Sequence, residues 1–274
     1  MRSCLALSVG VILNFSAANL FAHVAPETLS EDLTEQVAAN QMNAQLLLQR
    51  AESYRYSKNW ESALADYAAA EKLGMGEDVS FYRARMYLDA GQSADSISEA
   101  KIFLKHHPNN AAVLVTLAYA YQLSGNTVAA IAMMQAALPE LLAPTADYYI
   151  DLSEWYQKEN NIQAALEILD AGNARLHGST ALQIRALELA AANGNFNEAL
   201  YRLAALPENL RSQPAWLLRR GDLQRNSGNA DKSIESYQLA QSALDSMAVI
   251  RRNRQVNQSI QQALSDRLDA GVAP

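Results

Sequence analysis

Cysteine is nearly absent from this sequence of 274 residues, since Cys4 is the only one. Cys4 lies close to the N-terminus, so a chain that is cleaved after this residue contains no cysteine. Such a chain needs no disulfide, and an oxidising compartment brings no risk of mispairing. The fold must therefore rest on packing alone.

Positive charge is also scarce. The 22 Lys and Arg residues are outnumbered by 29 Asp and Glu residues, so the net charge is -7 and the pI is near 5.2. Nucleic-acid binding depends on a basic stripe that neutralises phosphates. The composition excludes that class of partner and disfavours broad adsorption to an anionic membrane.

A long apolar run is missing as well. The stretch from Cys4 to Phe15 is apolar apart from two residues, and it is shorter than the ~20 residues of a spanning helix. Arg2 precedes it and small residues follow it, which is the pattern of a secretory signal peptide. We predict a signal peptide at 1–22, cleaved near Ala18 or Ala22, and a periplasmic or secreted chain, bacterial by the style of the signal. An uncleaved membrane anchor is the alternative.

Motifs for catalysis are lacking. The sequence has no nucleophile elbow, no phosphate-cradling glycine loop and no zinc-protease helix motif. His106 and His107 precede Pro108 and suggest either a metal pair or a solvated helix end with a favourable dipole contact. No third ligand lies at metal spacing near these histidines, so we predict no metal. Because the catalytic and cofactor motifs are missing, we also predict no catalytic residue and no cofactor.

What the sequence does contain is a repeat. Four tyrosines lie 33, 34 and 35 residues apart, each three places after a small residue: Tyr54, Tyr87, Tyr121 and Tyr156, after Ala51, Ala84, Ala118 and Ser153. We take the small residue as position 0 of each repeat; in two further repeats position 0 falls at Leu187 and Gly221. A period near 34 is typical of repeat architectures.

Three other positions recur in phase. Position +7 holds residues that tolerate a left-handed turn, apart from the first: Lys58, Gly91, Gly125, Asn160, Gly194 and Gly228. Position +12 is always Ala or Ser: Ala63, Ser96, Ala130, Ala165, Ala199 and Ser233. Positions +16 and +19 are mostly apolar, as on one face of a second helix. We expect Ala130 and Ala165 to be buried where the two helices cross.

With these residues the unit resembles a tetratricopeptide repeat: helix A, a short turn and helix B. Six units follow one another at 44–76, 77–110, 111–145, 146–179, 180–213 and 214–247. The resemblance implies an all-α, right-handed α-solenoid without β-sheet. The internal prolines agree, because they lie between units or near the ends of B helices, and proline inside a helix costs about 3 kcal/mol.

The segments outside the repeats receive separate predictions. Residues 23–43 form an acidic lead-in, either a short helix or a disordered linker. Residues 248–274 form a capping helix and tail, because the last repeat of a solenoid needs its apolar side covered; a membrane or partner helix is the alternative. The cluster Arg251, Arg252 and Arg254 could dock an acidic partner. We predict one repeat domain at 44–247.

The resemblance implies a concave groove lined by helix A. At position -3 all six residues are apolar: Leu48, Phe81, Val115, Ile150, Ile184 and Leu218. At position +1 stand residues that become acidic in the second half: Glu52, Arg85, Tyr119, Glu154, Glu188 and Asp222. We predict that these twelve residues bind a partner peptide or helix; the alternative is that the apolar row seals each helix A against its neighbour.

The function implied is a non-catalytic protein–protein interaction scaffold or adaptor, and the predicted compartment suggests bacterial cell-envelope assembly. The alternative is a regulatory or structural subunit stably bound to an envelope enzyme or export complex. Family members that grip a C-terminal carboxylate use Lys and Asn at the first groove positions. Leu48 and Glu52 stand there instead, so such a clamp is not expected.

Overall fold

The protein is described from a computed structural model, which describes residues 26–40, 42–247, 249–252 and 254–271. The predicted signal peptide lies outside these residues. The described residues contain helices and no strand, as the repeat pattern predicts. Contacts divide the chain into two compact units, one up to Glu140 and one from Leu141 onward, whereas the sequence predicts one repeat domain.

The first unit contains a lead-in helix followed by three helix pairs. Its helices are α1 (Pro26–Ala39), α2 (Ala44–Tyr56), α3 (Trp60–Ala70), α4 (Val79–Asp89), α5 (Ser93–Leu104), α6 (Ala111–Leu123) and α7 (Thr127–Glu140). Helix α1 packs on α2, and its Leu33 and Val37 are buried. The lead-in is thus helical over this range.

The second unit contains three more pairs and a closing helix. Its helices are α8 (Ala146–Lys158), α9 (Ile162–Arg175), α10 (Thr180–Ala192), α11 (Phe196–Ala205), α12 (Glu208–Arg211), α13 (Pro214–Asn226), α14 (Ala230–Asp245), α15 (Val249–Arg252) and α16 (Gln255–Gly271). In both units, helix A and helix B of each repeat pack on each other.

The turn between helix A and helix B has a common backbone geometry. All six residues at position +7 have positive φ, between 57° and 84°, including Lys58 and Asn160. In four repeats the next residue is an asparagine whose Oδ1 accepts a hydrogen bond from a backbone N–H of the first turn of helix B: Asn59, Asn126, Asn161 and Asn195. A left-handed residue ends one helix and an amide caps the next.

The small residues at position +12 lie where the helices cross. All six are buried, and Ala130 and Ala165 have no exposed surface, which confirms their predicted burial. The hydroxyl of Ser96 donates to the carbonyl of Ala84, 2.8 Å away on the facing helix A. Backbones this close leave room for Ala or Ser and for nothing larger.

In the closing segment the spacing of apolar residues predicts one helical stripe, formed by Ile250, Val256, Ile260, Leu264 and Leu268. The structure agrees with this stripe only in part. Leu264 is fully buried against the last repeat, and Ile260 and Leu268 pack around it. Val256, predicted on the same stripe, is exposed. Val256 lies in the first turn of α16, so the packed part of the stripe begins one turn later, at Ile260.

Candidate functional site

The candidate site is the helix-A face, which we define as positions -3 and +1 of the A helices in each unit. Position -3 differs between the units. In the first unit Leu48 and Val115 are buried and Phe81 is half-buried, whereas in the second unit all three residues are half-buried: Ile150, Ile184 and Leu218. The burial of Leu48 and Val115 agrees with the alternative of sealing between repeats, while the second unit keeps a partly accessible apolar row.

Glu52 at position +1 of the first repeat is held by several donors. It accepts hydrogen bonds from the hydroxyl of Tyr67 at 2.6 Å, from Arg55 Nη2 at 3.0 Å and from Arg85 Nη1 at 3.4 Å. Its side chain is only 16% exposed. This carboxylate is thus part of the local structure and offers little free charge to a partner.

Arg55 connects the first two repeats. Its side chain is 6% exposed and pairs with Glu52 on its own helix and with Asp89 on α4. Burial lowers the pKa of Arg55, but the charges of Glu52 and Asp89 and their hydrogen bonds outweigh burial, so the pKa rises above its usual value. The guanidinium also lies 4.4 Å from the centre of the Tyr56 ring.

Aromatic groups make up much of the rest of this face in the first unit. The guanidinium of Arg85 lies 5.4 Å from the centre of the Phe81 ring, an attractive cation–π distance. Phe81 also lies 5.5 Å from Tyr82 and 5.7 Å from Phe103, measured between ring centres. Tyr119 is half-buried on α6.

In the second unit each acid at position +1 meets an arginine from the next helix of the stack. Glu154 on α8 accepts from Arg185 Nη2 on α10 at 3.1 Å. Glu188 on α10 accepts from Arg219 Nε on α13 at 3.2 Å. We call the three acids and their arginines the ion-pair ladder; its last rung joins Asp222 of α13 to Arg267 of α16.

This last rung has the same form as the others, although α16 is not part of a repeat. Arg267 donates to Asp222 through Nε at 2.5 Å and Nη2 at 3.0 Å. Asp222 also accepts from the hydroxyl of Tyr237 at 3.0 Å. The hydrogen bond and the charge of Asp222 raise the pKa of Arg267 against the opposing effect of burial.

The ladder changes the predicted electrostatics of the site. The acids stand where the sequence places them, but they form rows of alternating charge rather than a bare negative strip. Sequence reasoning missed Arg185 and Arg219, which occupy position -2 of the following helix A. The signal was available, because each lies 31 residues after the acid that it meets, nearly one repeat.

His106 and His107 each lie close to a carboxylate near the start of α4. His106 lies 2.5 Å from a carboxylate oxygen of Glu77, and His107 lies 3.4 Å from one of Asp78. The His107 ring also stacks on Phe103. Among the described residues no three His, Cys, Asp or Glu side chains are grouped to hold a metal ion.

Comparison with known proteins gives the fold. No protein-family model matches the sequence, and no curated protein matches it. A tetratricopeptide repeat protein from Parabacteroides merdae ATCC 43184 is similar in structure, with a TM-score of 0.50 at 14% identity over 90% of this chain and 93% of its own. This chain has the tetratricopeptide-repeat fold.

Two other solved structures are similar to this tetratricopeptide-repeat chain. One, described as Naa15/Naa10 bound to HypK-THB, has a TM-score of 0.53 at 16% identity over 90% of this chain, which spans 40% of that chain. The other, MamA from Desulfovibrio magneticus RS-1, has a TM-score of 0.46 at 18% identity over 53% of this chain and 82% of its own. In the part of the chain that the structure describes, no helix combines the length and apolarity needed to cross a membrane.

Proposed function

We propose that this protein is a non-catalytic protein–protein interaction scaffold that binds a peptide or helix on the helix-A face. The observation that supports this most is in the second unit. There Ile150, Ile184 and Leu218 are half-buried and recur once per repeat, alongside the ion-pair ladder. An accessible apolar row next to charges of both signs suits an amphipathic segment.

The apolar row at position -3 and the charged row at position +1 would contribute to binding in different ways. Covering apolar surface contributes about 25 cal/mol per Å², so the row at position -3 supplies most of the affinity. Exposed ion pairs are worth only about 0–1 kcal/mol each. Glu154, whose side chain is 50% exposed, can therefore exchange Arg185 for a partner's cation at little cost, and the ladder sets register more than strength.

The first unit has a helix-A face of its own, of which a smaller part is accessible. Leu48 and Val115 are buried, and Glu52 already has three protein donors. Phe81, Arg85 and Tyr119 remain half-buried on consecutive A helices. We expect this part to contact a partner through its aromatic rings.

The proposed setting is a bacterial cell envelope, with the chain exported to the periplasm or beyond. The basic start, the short apolar run and the small residues at 16–22 support export. N-terminal sequencing of the protein recovered from the export compartment should give a first residue near Asn19 or His23. An intact Met1 in the membrane fraction would contradict cleavage.

A second candidate is a regulatory or structural subunit held permanently in an envelope complex. It is favoured by the similar fold in the structure described as Naa15/Naa10 bound to HypK-THB, which is itself a complex. The two candidate functions differ in the lifetime of the complex between this chain and its partner. A subunit should co-elute with its partner through size-exclusion chromatography of the native protein, whereas a transient scaffold should elute alone and bind when the partner is added.

The experiment for the proposed face is site-specific photo-crosslinking in the producing cell. A photoreactive phenylalanine analogue replaces Ile184 on the helix-A face in one variant and Tyr201 in another. Tyr201 is an apolar control in the same unit, on helix B of the same repeat, and is 74% exposed. We expect a discrete crosslinked protein from position 184 and none from position 201.

The pattern of crosslinks decides the proposal. The same product from both positions would mean that the chain is surrounded by its partner and that the helix-A face is not selective. A product from position 201 alone would place the binding surface on helix B and contradict the proposal. Circular dichroism of both purified variants checks that each is folded.

A further inference from the structure

A second candidate site lies in the second unit, away from the helix-A face. It is found where position -1 of helix A faces position +15 of helix B. Three repeats have an arginine at position -1, facing position +15 of helix B. In the first repeat Arg50 binds Asp66 through two hydrogen bonds of 2.7 Å. In the second, Arg83 lies 4.0 Å from Glu99.

The last repeat keeps this arginine and lacks the carboxylate. Position -1 is Arg220 and position +15 is Ser236, whose hydroxyl oxygen accepts from Arg220 Nε at 2.9 Å. Among the described residues Arg220 forms no ion pair, although it is half-buried. A guanidinium carries five N–H donors in a planar fork that fits a carboxylate, so most of its binding capacity is unused here.

Arg220 lines an open cleft of about 460 Å³ between α12, α13 and α14. Arg211 lines the same cleft and pairs with Glu208, whose side chain is 75% exposed. An exposed pair of this kind is worth about 0–1 kcal/mol. Together Arg211, Arg220 and Glu208 leave one net positive charge in the cleft of a chain whose overall charge is negative.

The cleft also has a hydroxyl group and an apolar rim. Ser242 lines it, whereas the hydroxyls of Ser212 and Ser246 already donate to the backbone carbonyls of Glu208 and Ala243. Leu239 forms part of its wall and is 52% exposed. A ligand that combined an anionic group with a neighbouring apolar side chain would contact both kinds of surface.

We propose that this cleft binds a carboxylate side chain from an acidic segment of a partner protein. The incoming carboxylate would lie against Arg220, as the carboxylate of Asp66 lies against Arg50 in the first repeat. The site is separate from the helix-A face, because positions -1 and +1 differ by about 200° around a helix with 3.6 residues per turn. It does not depend on the function proposed above.

The test uses the full chain and small probes. The Nε–Hε signal of each arginine is followed by NMR while acetyl-glutamyl-leucine amide is added, with acetyl-glutaminyl-leucine amide and inorganic phosphate as comparison probes. Arg220→Gln assigns the Arg220 signal by its loss. We expect the glutamyl probe to shift that signal with a dissociation constant on the order of millimolar, and the glutaminyl probe to leave it unchanged.

A matched variant tests the repeat argument itself. Ser236→Asp restores an internal carboxylate opposite Arg220, as Asp66 does for Arg50, and should weaken the glutamyl probe by roughly tenfold or more. The Arg202 signal is the internal control, because Arg202 is already paired with Asp170 and Glu198. Circular dichroism of both variants reports on folding.

Three outcomes would overturn the proposal. The first is an Arg220 signal that no probe moves, which would mean that water alone solvates the guanidinium. The second is an equal or larger shift with phosphate, which would contradict a carboxylate-selective cleft. The third is an unchanged response to the glutamyl probe in Ser236→Asp, which would place the anion elsewhere.

Discussion

The first and last repeats contain the same polar arrangement, built from different parts of the chain. In the first, Glu52 accepts from the hydroxyl of Tyr67 and from Arg85 of the next helix A. In the last, Asp222 accepts from the hydroxyl of Tyr237 and from Arg267 of the closing helix. In the described part of the chain α16 supplies to the last repeat the arginine that the next helix A supplies to the first. The closing helix thus acts electrostatically as well as by covering apolar surface.

The two arrangements differ in burial, and this should decide their energetic weight. Glu52 is 16% exposed and is joined by the nearly buried Arg55, whereas Asp222 is 24% exposed and Arg267 is 32% exposed. Water screens the second pair more than the first. We therefore expect the first repeat to depend on its charges and the last to depend mainly on the packing of Leu264.

The largest effect is predicted for Arg55→Met. Removing this arginine takes a cation from Glu52 and Asp89 at a largely buried site, so we expect a loss of roughly 3 kcal/mol in the free energy of unfolding. The matched change Arg267→Met should cost about 1 kcal/mol. Urea unfolding of both variants at pH 7 measures the difference, and equal losses would contradict the role assigned to burial.

The next effect concerns position 0, which is Ala51 in the first repeat and Gly221 in the last. A Cβ added at Gly221 would lie 2.5 Å from Cδ1 of Tyr237, so Gly221→Ala should cost roughly 1–3 kcal/mol through overpacking. In the first repeat Ala51 and Tyr67 are both fully buried in the same core cluster, and Ala51→Gly should cost about 1 kcal/mol.

Thermal melts of both position 0 variants provide the check. A Gly221→Ala variant as stable as the natural chain would show that Tyr237 moves aside freely, and that the ring is not fixed by Asp222.

The two tyrosines predict a dependence on alkaline pH. Burial first, and then the charge of Glu52, raises the pKa of Tyr67 above its usual 10.0; burial and Asp222 do the same for Tyr237. Above pH 10 the unfolded chain loses these protons while the folded chain keeps them. The unfolded state then binds fewer protons, so the free energy of unfolding falls as the pH rises.

Tyr67→Phe should make this alkaline fall shallower, and Tyr237→Phe should do so by less, because the pKa shift is larger at Tyr67. At pH 7 each change should cost about 1.5–3 kcal/mol for a hydrogen bond to a charged group. Urea unfolding at pH 7, 9.5 and 11 separates the two effects. An unchanged slope in Tyr67→Phe would assign the alkaline loss to other groups.

The smallest effect is predicted in the turns. Lys58 and Gly228 occupy the same position +7, with φ of 59° and 84°. An L-residue with a side chain is strained there by roughly 1–2 kcal/mol, so Lys58→Gly should stabilise the chain by up to about 1 kcal/mol and Gly228→Ala should destabilise it by a similar amount. Calorimetry that moved both melting temperatures in the same direction would contradict this account.

Much of the fold follows from spacing alone. Backbone geometry within one repeat limits the residue types that are allowed at positions 0, +7 and +12. The same residue types therefore recur at these positions with the period of the repeat. Even Lys58, the least expected residue at position +7, has the left-handed backbone that its phase predicts.

The contacts of the candidate site were less predictable, because they join one repeat to the next. Tyr67 and Tyr237 stand at position +16, which the spacing places on an apolar face, yet their hydroxyls donate to acids of the facing helix A. The spacing of 31 residues places Arg185 and Arg219 one helix along from Glu154 and Glu188, but the rotamer and reach of the side chains decide that they pair. The exposure of Val256 depends on how far along α16 the last repeat packs, which the spacing of apolar residues does not encode.

The central claim, that the helix-A face of the second unit holds a protein partner, is tested most directly by affinity. With the partner identified by crosslinking, isothermal titration compares Ile184→Ser with Tyr201→Ser, its exposed control on helix B. We predict that Ile184→Ser weakens binding by roughly tenfold, since burying such a side chain contributes about 1.5–3 kcal/mol and 1.4 kcal/mol corresponds to tenfold, while Tyr201→Ser leaves the dissociation constant within about twofold. Equal affinity of Ile184→Ser and the natural chain, together with weak binding by Tyr201→Ser, would contradict the account.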